Sequence, residues 1–195
     1  MSQIDWITSV KPSKRIDSFL SQNCLLKNFN HQDCRLIVVN GEKDKENLPD
    51  NLESCEIRFV KNKRPTLREL LLFSNTEMTI LSNSDVKLFT NKPLSEIINK
   101  FDALQVSRRY DFEFPNIPKN FNQARVLAKK FGYLQSRFTV DFFVLSNAFK
   151  SYLIDKEWSN HFKLGQPGID IAILYESIIF GSMSRIDKDV CLIHK

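Results

Sequence analysis

The sequence predicts an α/β fold, a mostly parallel central sheet flanked by helices, on three observations. Apolar runs of strand length alternate with segments of helical apolar spacing through the first half of the chain. Runs such as Cys34 to Asn40 (CRLIVVN) are continuously apolar, as strands covered on both faces are. The chain has 195 residues, which suits a single domain over 1–195 and is short for two.

Ile4 to Val10 (IDWITSV) is rich in β-formers and stops at Lys11-Pro12-Ser13, so it reads as a strand and a turn. Ile16, Phe19, Leu20, Leu25 and Leu26 keep helical spacing after Ser13, a candidate cap. Cys34 to Asn40 is the next strand, closed by Asn40-Gly41, and Cys55 to Val60 (CEIRFV) is the third. Pro65 to Ser74 places Leu67, Leu70, Leu71 and Phe73 at helical spacing, with Pro65 in the first turn. Met78 to Leu81 reads as a strand, Leu94 to Phe101 as a helix and Ala103 to Ser107 as a strand. The alternation makes residues 1–110 a nucleotide-binding half.

Residues 111–195 are less regular. Asp111 to Asn122, with two prolines, reads as a surface loop. Ala124 to Phe131 is helical, Phe138 to Leu145 (FTVDFFVL) is a strand broken by one acid, and Asp170 to Phe180 is a helix reached through Gly165-Gln166-Pro167-Gly168. Val190 to Ile193 is the last strand.

Hydrophobic residues at 42% and charged residues at 26% match a soluble globular domain. The net charge of +5 admits anionic partners, but acids are interleaved with the basic residues and the densest run, Lys61 to Arg64, is short. It reads as a solvated face, with no nucleic-acid partner expected. Cys24, Cys34, Cys55 and Cys191 show no CxxC spacing and sit in apolar segments, as buried thiols of a reducing compartment do. No secretory signal or apolar run of about 20 residues is seen, so the expectation is a cytoplasmic protein without a transmembrane segment.

In a parallel α/β sheet, ligands bind beyond the carboxyl ends of the strands. The polar residues there are Thr8 and Ser9, Asn40, Asn83 to Asp85, and Arg108 with Arg109. Five glycines without GxGxxG or GxxxxGK[ST] argue against a glycine-rich phosphate cradle. A bound diphosphate would then need a divalent cation, and hard cations take carboxylate oxygen, which makes Asp85 the candidate ligand.

Ile80 to Phe89 (ILSNSDVKLF) resembles a strand ending in the DxD-type motif of the small GT-A-fold glycosyltransferases, in the nucleotide-diphospho-sugar transferase superfamily. Ala103 to Asp111 (ALQVSRRYD) resembles the next strand of a subgroup with a GRRWD-type segment. LGQPGID and the terminal LIHK resemble that subgroup's LGRPGWDNWL helix start and closing AIHQ strand. With TVDFFVL, the ordered set spans nearly the whole chain. The resemblance implies a GT-A-like three-layer sandwich and a metal-dependent hexosyltransferase using manganese or magnesium. The donor would be a nucleotide-sugar, most simply a UDP-sugar, and the acceptor a hydroxyl of a glycan or other molecule.

By that resemblance Thr8, Ser9 and Val10 hold the nucleoside, and Asn40 with Glu42 lies near the base. Asn83 and Asp85 match the outer DxD positions, for ribose and metal, and His194 completes the metal shell. The first acid of the motif is here an amide, which still bonds a ribose hydroxyl but leaves one carboxylate for the metal. Asp170 matches the catalytic base of inverting members, Asp141 is a second candidate that could orient the acceptor, and Arg108, Arg109 and Asp111 would line the sugar or acceptor side.

Each residue also has a plainer role. Asp85 suits a turn and Asp170 the first turn of a helix. Asp141 could be a buried acid paired with Arg108 or Arg109. Tyr110, Phe112, Phe114 and Phe121 suit packing, and His31 and His161 carry no signature. Two rival functions follow: a catalytically silent GT-A-like module binding nucleotide-sugar or glycan, and a nucleotidyltransferase. The latter predicts a glycine-rich N-terminal loop, and Thr8 to Arg15 contains no glycine.

Overall fold

The computed structural model describes residues 4–10, 31–47, 55–62, 64–111, 118–135, 140–164 and 166–194. The helix predicted after Ser13 lies outside the described residues, as do Cys24 and the first residues of the FTVDFFVL run.

The strands are β1 (Ile4–Thr8), β2 (Cys34–Gly41), β3 (Glu56–Val60), β4 (Met78–Ser82), β5 (Val86–Thr90), β6 (Leu104–Val106), β7 (Arg109–Asp111), β8 (Tyr133–Leu134), β9 (Phe142–Ser146), β10 (Met183–Arg185) and β11 (Val190–His194). The α-helices are α1 (Leu67–Leu71), α2 (Leu94–Ile97), α3 (Phe121–Phe131), α4 (Asn147–Ile154) and α5 (Ile169–Phe180).

Seven strands form the main sheet in the order β10-β6-β9-β4-β1-β2-β3. It is mixed, which corrects the expectation of a mostly parallel sheet. β9 lies antiparallel between β4 and β6, while the other neighbours pair in parallel. A continuously apolar run such as Phe142-Phe143-Val144-Leu145 announces burial on both faces but carries no direction. The reversal matters for function, because it puts the start of β9 beside the end of β4: Ser82 pairs with Phe142, and the Asn83 N–H donates to the Asp141 carbonyl at 3.1 Å.

The second correction concerns the layers. One face of the main sheet presents Ile7, Ile37, Val39, Leu81, Phe143 and Leu145 to helices α1, α4 and α5. The alternate residues, Trp6, Leu36, Val38, Ile80, Phe142 and Val144, face α2 and strands β5 and β11. Thus helices cover one face and a smaller sheet, β5-β11-β7-β8, covers much of the other. In β5, Val86 and Leu88 turn inward, the period of two that seats a strand on a core.

Local chemistry sets the helix limits. Thr66 is the N-cap of α1 and forms a reciprocal capping box with Glu69, so Pro65 falls before the helix instead of within its first turn. Asn120 caps α3 by accepting from the Gln123 N–H at 3.0 Å, which starts that helix earlier than the apolar pattern shows. The helix expected over Leu94 to Phe101 stops at Ile97. There the buried Gln105 amide takes both the Asn99 N–H and the Asn99 carbonyl, at 2.9 and 2.6 Å. Cys34 and Cys191 are buried and Cys55 is half-buried. Among the described residues no helix is long and apolar enough to cross a membrane.

Candidate active site

Strand register gathers one cluster of polar side chains. His194, the last residue of β11, pairs with Val86 of β5 on one side and Asp111 of β7 on the other. Asp85 immediately precedes Val86. The outcome is an imidazole between two carboxylates, with His194 Nε2 3.3 Å from Asp85 Oδ2 and His194 Nδ1 3.3 Å from Asp111 Oδ1.

Arg109 lies two residues before Asp111 on the same face of β7. Its Nη2 donates to Asp111 Oδ2 at 3.1 Å, its Nε stands 2.7 Å from Asp111 Oδ1, and its Nη1 pairs with Asp141 Oδ2. Asn83 donates from Nδ2 to the other Asp141 oxygen at 2.5 Å. Gln135, which follows β8, donates to Asp111 Oδ2. Arg109 and Asp141 are nearly buried, at 12% and 7% side-chain exposure, so this pairing is largely removed from solvent.

The Asn83–Asp141 bond explains the amide in the motif. A carboxylate at position 83 would face Asp141 as a like charge at contact distance, whereas the amide donates a hydrogen bond. Asp141 is therefore occupied by Asn83 and Arg109, the paired-acid arrangement that sequence reasoning set beside a catalytic one.

Asp170 reaches the cluster from the first turn of α5, after Gly168 turns the chain at φ 90°, in the left-handed region that favours glycine. Its Oδ2 accepts from the Val140 N–H at 2.9 Å, next to Asp141. Burial pushes its carboxyl up to about 6, although the Val140 hydrogen bond and the positive charge of Arg109 both act to lower it. A carboxyl held near 6 is suited to accepting a proton near neutral pH.

The remaining predicted residues stand apart from this cluster or serve the backbone. Asn40 is buried and binds the Val10 backbone twice, accepting from its N–H at 3.0 Å and donating to its carbonyl at 2.7 Å, with Ser9 Oγ at 3.4 Å. Thr8 donates to the Ser82 carbonyl at 2.9 Å. Both side chains thus shape the strand ends. Glu42 is exposed at the start of a 3-10 turn. Arg108 is exposed while Arg109 is not, the alternation of a strand, and its N–H donates to Asp187 at 2.7 Å. Asp111 belongs to the imidazole more than to a sugar pocket. Gln135 was not foreseen, since a lone glutamine in an irregular segment carries no periodic or motif signal.

Four carboxylates, those of Asp85, Asp111, Asp141 and Asp170, and one guanidinium meet here. Such a site attracts cations and would repel a bare diphosphate. Among the described residues no group of three or more His, Cys, Asp or Glu is arranged to hold a metal ion. The pair Asp85 and His194 is compatible with a shared cation, however. Adjacent ligands of an octahedral ion at about 2.1 Å lie about 3 Å apart, close to the spacing of their facing atoms.

The fold recurs among solved structures. The chain is similar to a mannosyltransferase from Pyrobaculum calidifontis in complex with GDP-Man and Mn2+, with a TM-score of 0.51 and 10% identity over 99% of this chain and 56% of that one. It spans only about half of that protein. It is also similar to a putative glucose-1-phosphate thymidylyltransferase from Bacillus anthracis in complex with a sucrose, with a TM-score of 0.58 and 11% identity over 97% of this chain and 88% of that one. At these identities the likeness establishes the shared α/β fold. No family model and no curated protein sequence matches the chain.

Proposed function

We propose that the protein is a metal-dependent glycosyltransferase of GT-A-like fold that moves a sugar from a nucleoside-diphosphate donor, most simply a UDP-sugar, to a hydroxyl acceptor. The observation that carries this reading is the imidazole of His194 held 3.3 Å from a carboxylate oxygen on each side. A neutral imidazole has one N–H and can satisfy one of the two. A shared metal cation would favour the other contact. The likeness to a protein solved with GDP-Man and Mn2+ supports the same direction.

Asp85 and His194 would hold the cation, carboxylate oxygen being a ligand that hard cations prefer. When bound, it neutralises the charge that develops on the departing diphosphate. Asp170 receives the proton of the acceptor hydroxyl as that oxygen bonds to the anomeric carbon, while the bond from this carbon to the diphosphate oxygen breaks. Asp141, Asn83 and Arg109 keep the β4, β7 and β9 ends together around the donor. Ser9 and Val10, supported by Asn40, form the nucleoside end.

The test is calorimetry with UDP- and GDP-sugars, with and without Mn2+, followed by assay of donor turnover. Binding that requires Mn2+ and is weakened in Asp85→Ala supports the proposal. Binding without turnover over a range of hydroxyl acceptors would make the chain a donor-binding module. A nucleotidyltransferase is the second reading, favoured by the greater length match to the thymidylyltransferase. Formation of a sugar nucleotide from a sugar phosphate and a nucleoside triphosphate would establish it instead.

A further inference from the structure

We propose that the outer face of α5 is the contact surface of a twofold-symmetric dimer, in which the helix packs antiparallel against α5 of a second copy of this chain. Helix α5 turns Ile169, Ile173, Leu174 and Ser177 into the protein. Ile171, Tyr175, Ile178 and Ile179 lie on the opposite side and are 58%, 62%, 69% and 57% exposed. Their spacing of i, i+4, i+7 and i+8 makes one continuous stripe. Exposed apolar side chains are ordinary when scattered singly. A helix that is apolar on both faces belongs between two layers, yet the outer face of α5 meets solvent.

Three properties of the stripe fit a second copy. The first is symmetry. Ile171 lies four residues before Tyr175 and Ile179 four residues after it, so a half-turn about Tyr175 exchanges the two isoleucines. This is the self-complementarity that an isologous contact needs. The second is area. The four side chains expose about 500 Å², so two copies bury about 1,000 Å² through them alone, the size at which a specific interface begins. The third is charge. The stripe is uncharged, α5 has no Lys or Arg, and of its two acids Asp170 is half-buried and Glu176 buried. Two copies therefore meet there without opposing like charges, whereas an anionic membrane finds no cation on the helix to attract it.

Sedimentation velocity of the full chain across micromolar concentrations tests the dimer. Wild type is expected to approach twice the chain mass of 22.8 kDa as concentration rises. Tyr175→Glu and Tyr175→Lys each place like charges at the twofold axis and should weaken self-association by about 10-fold or more. An equal mixture of these two variants should associate more tightly than either alone, as contact of position 175 with its own counterpart requires. Because Tyr175 is exposed, both variants should keep the wild-type circular dichroism spectrum. Val126→Glu, at a similarly exposed position on α3, should leave association unchanged.

Wild type that stays monomeric throughout this range overturns the proposal. So does a dimer that both Tyr175 variants leave intact, or a mixture that associates no better than its components. A monomer that floats with phosphatidylcholine vesicles, and no longer does so as Tyr175→Glu, would give the face to a membrane and overturn the dimer as well.

Discussion

Replacing Asp170 by Asn should stabilise the protein at neutral pH while abolishing most of its activity. The Asn carbonyl can still accept from the Val140 N–H, so the tie between α5 and the start of β9 survives. What is lost is a charge held in a poorly solvated place. A carboxyl that titrates at about 6 instead of 3.8 carries about 3 kcal/mol of added cost for its charged form at neutral pH. Asp170 keeps some solvent contact, which lowers the expected gain to about 1–3 kcal/mol. The sign follows from proton counting. Between about pH 4 and 6 the native carboxyl holds a proton that the unfolded chain has released, so wild-type stability declines as pH rises through this range. The gain in Asp170→Asn is therefore absent near pH 4 and fully developed by pH 8. Urea denaturation at both pH values measures it, and transfer assays should show a loss of about 10²–10⁴-fold if Asp170 is the general base. An equal gain at both pH values would refute the burial argument, and transfer within twofold of wild type would refute the catalytic one.

Asp141→Ala leaves Asn83 without its acceptor and removes one of the two carboxylates facing the nearly buried Arg109, so urea denaturation should record a loss of about 3 kcal/mol. Asn83→Asp brings a second carboxylate against Asp141. Its stability deficit should be about 1–3 kcal/mol at pH 8 and should shrink on acidification, as the pair takes up a shared proton. Asn40→Ala removes both bonds to the Val10 backbone and should cost about 2–4 kcal/mol, with weaker nucleotide binding that calorimetry would register.

The strands of the main sheet were legible where apolar runs were long: Cys34 to Asn40 and Met78 to Leu81 form β2 and β4 almost as read. Strand β5 was harder, because Val86 and Leu88 alone alternate within its five residues and the strand depends on β11 for pairing. Helix α4 escaped notice because it follows β9 without a connecting loop, its start marked only by Ser146, which accepts from the Phe149 N–H at 3.2 Å. In the site, the proximity of Asp85 to His194 was foreseen through family resemblance, since their sequence separation alone carries no such information. The Asn83–Asp141 and Asp111–His194 contacts could not be foreseen in the same way. The first depends on the reversed direction of β9 and the second on β7 lying parallel to β11, and neither strand direction is written in apolar spacing.

The most direct test is a double-mutant cycle on Mn2+-dependent nucleotide binding with Asp85→Ala and His194→Gln. If both side chains hold one cation, either substitution removes the effect of Mn2+, and the double variant binds UDP or GDP no more weakly than the singles. Losses that simply add, or nucleotide affinity in wild type that is indifferent to Mn2+, would contradict the shared cation.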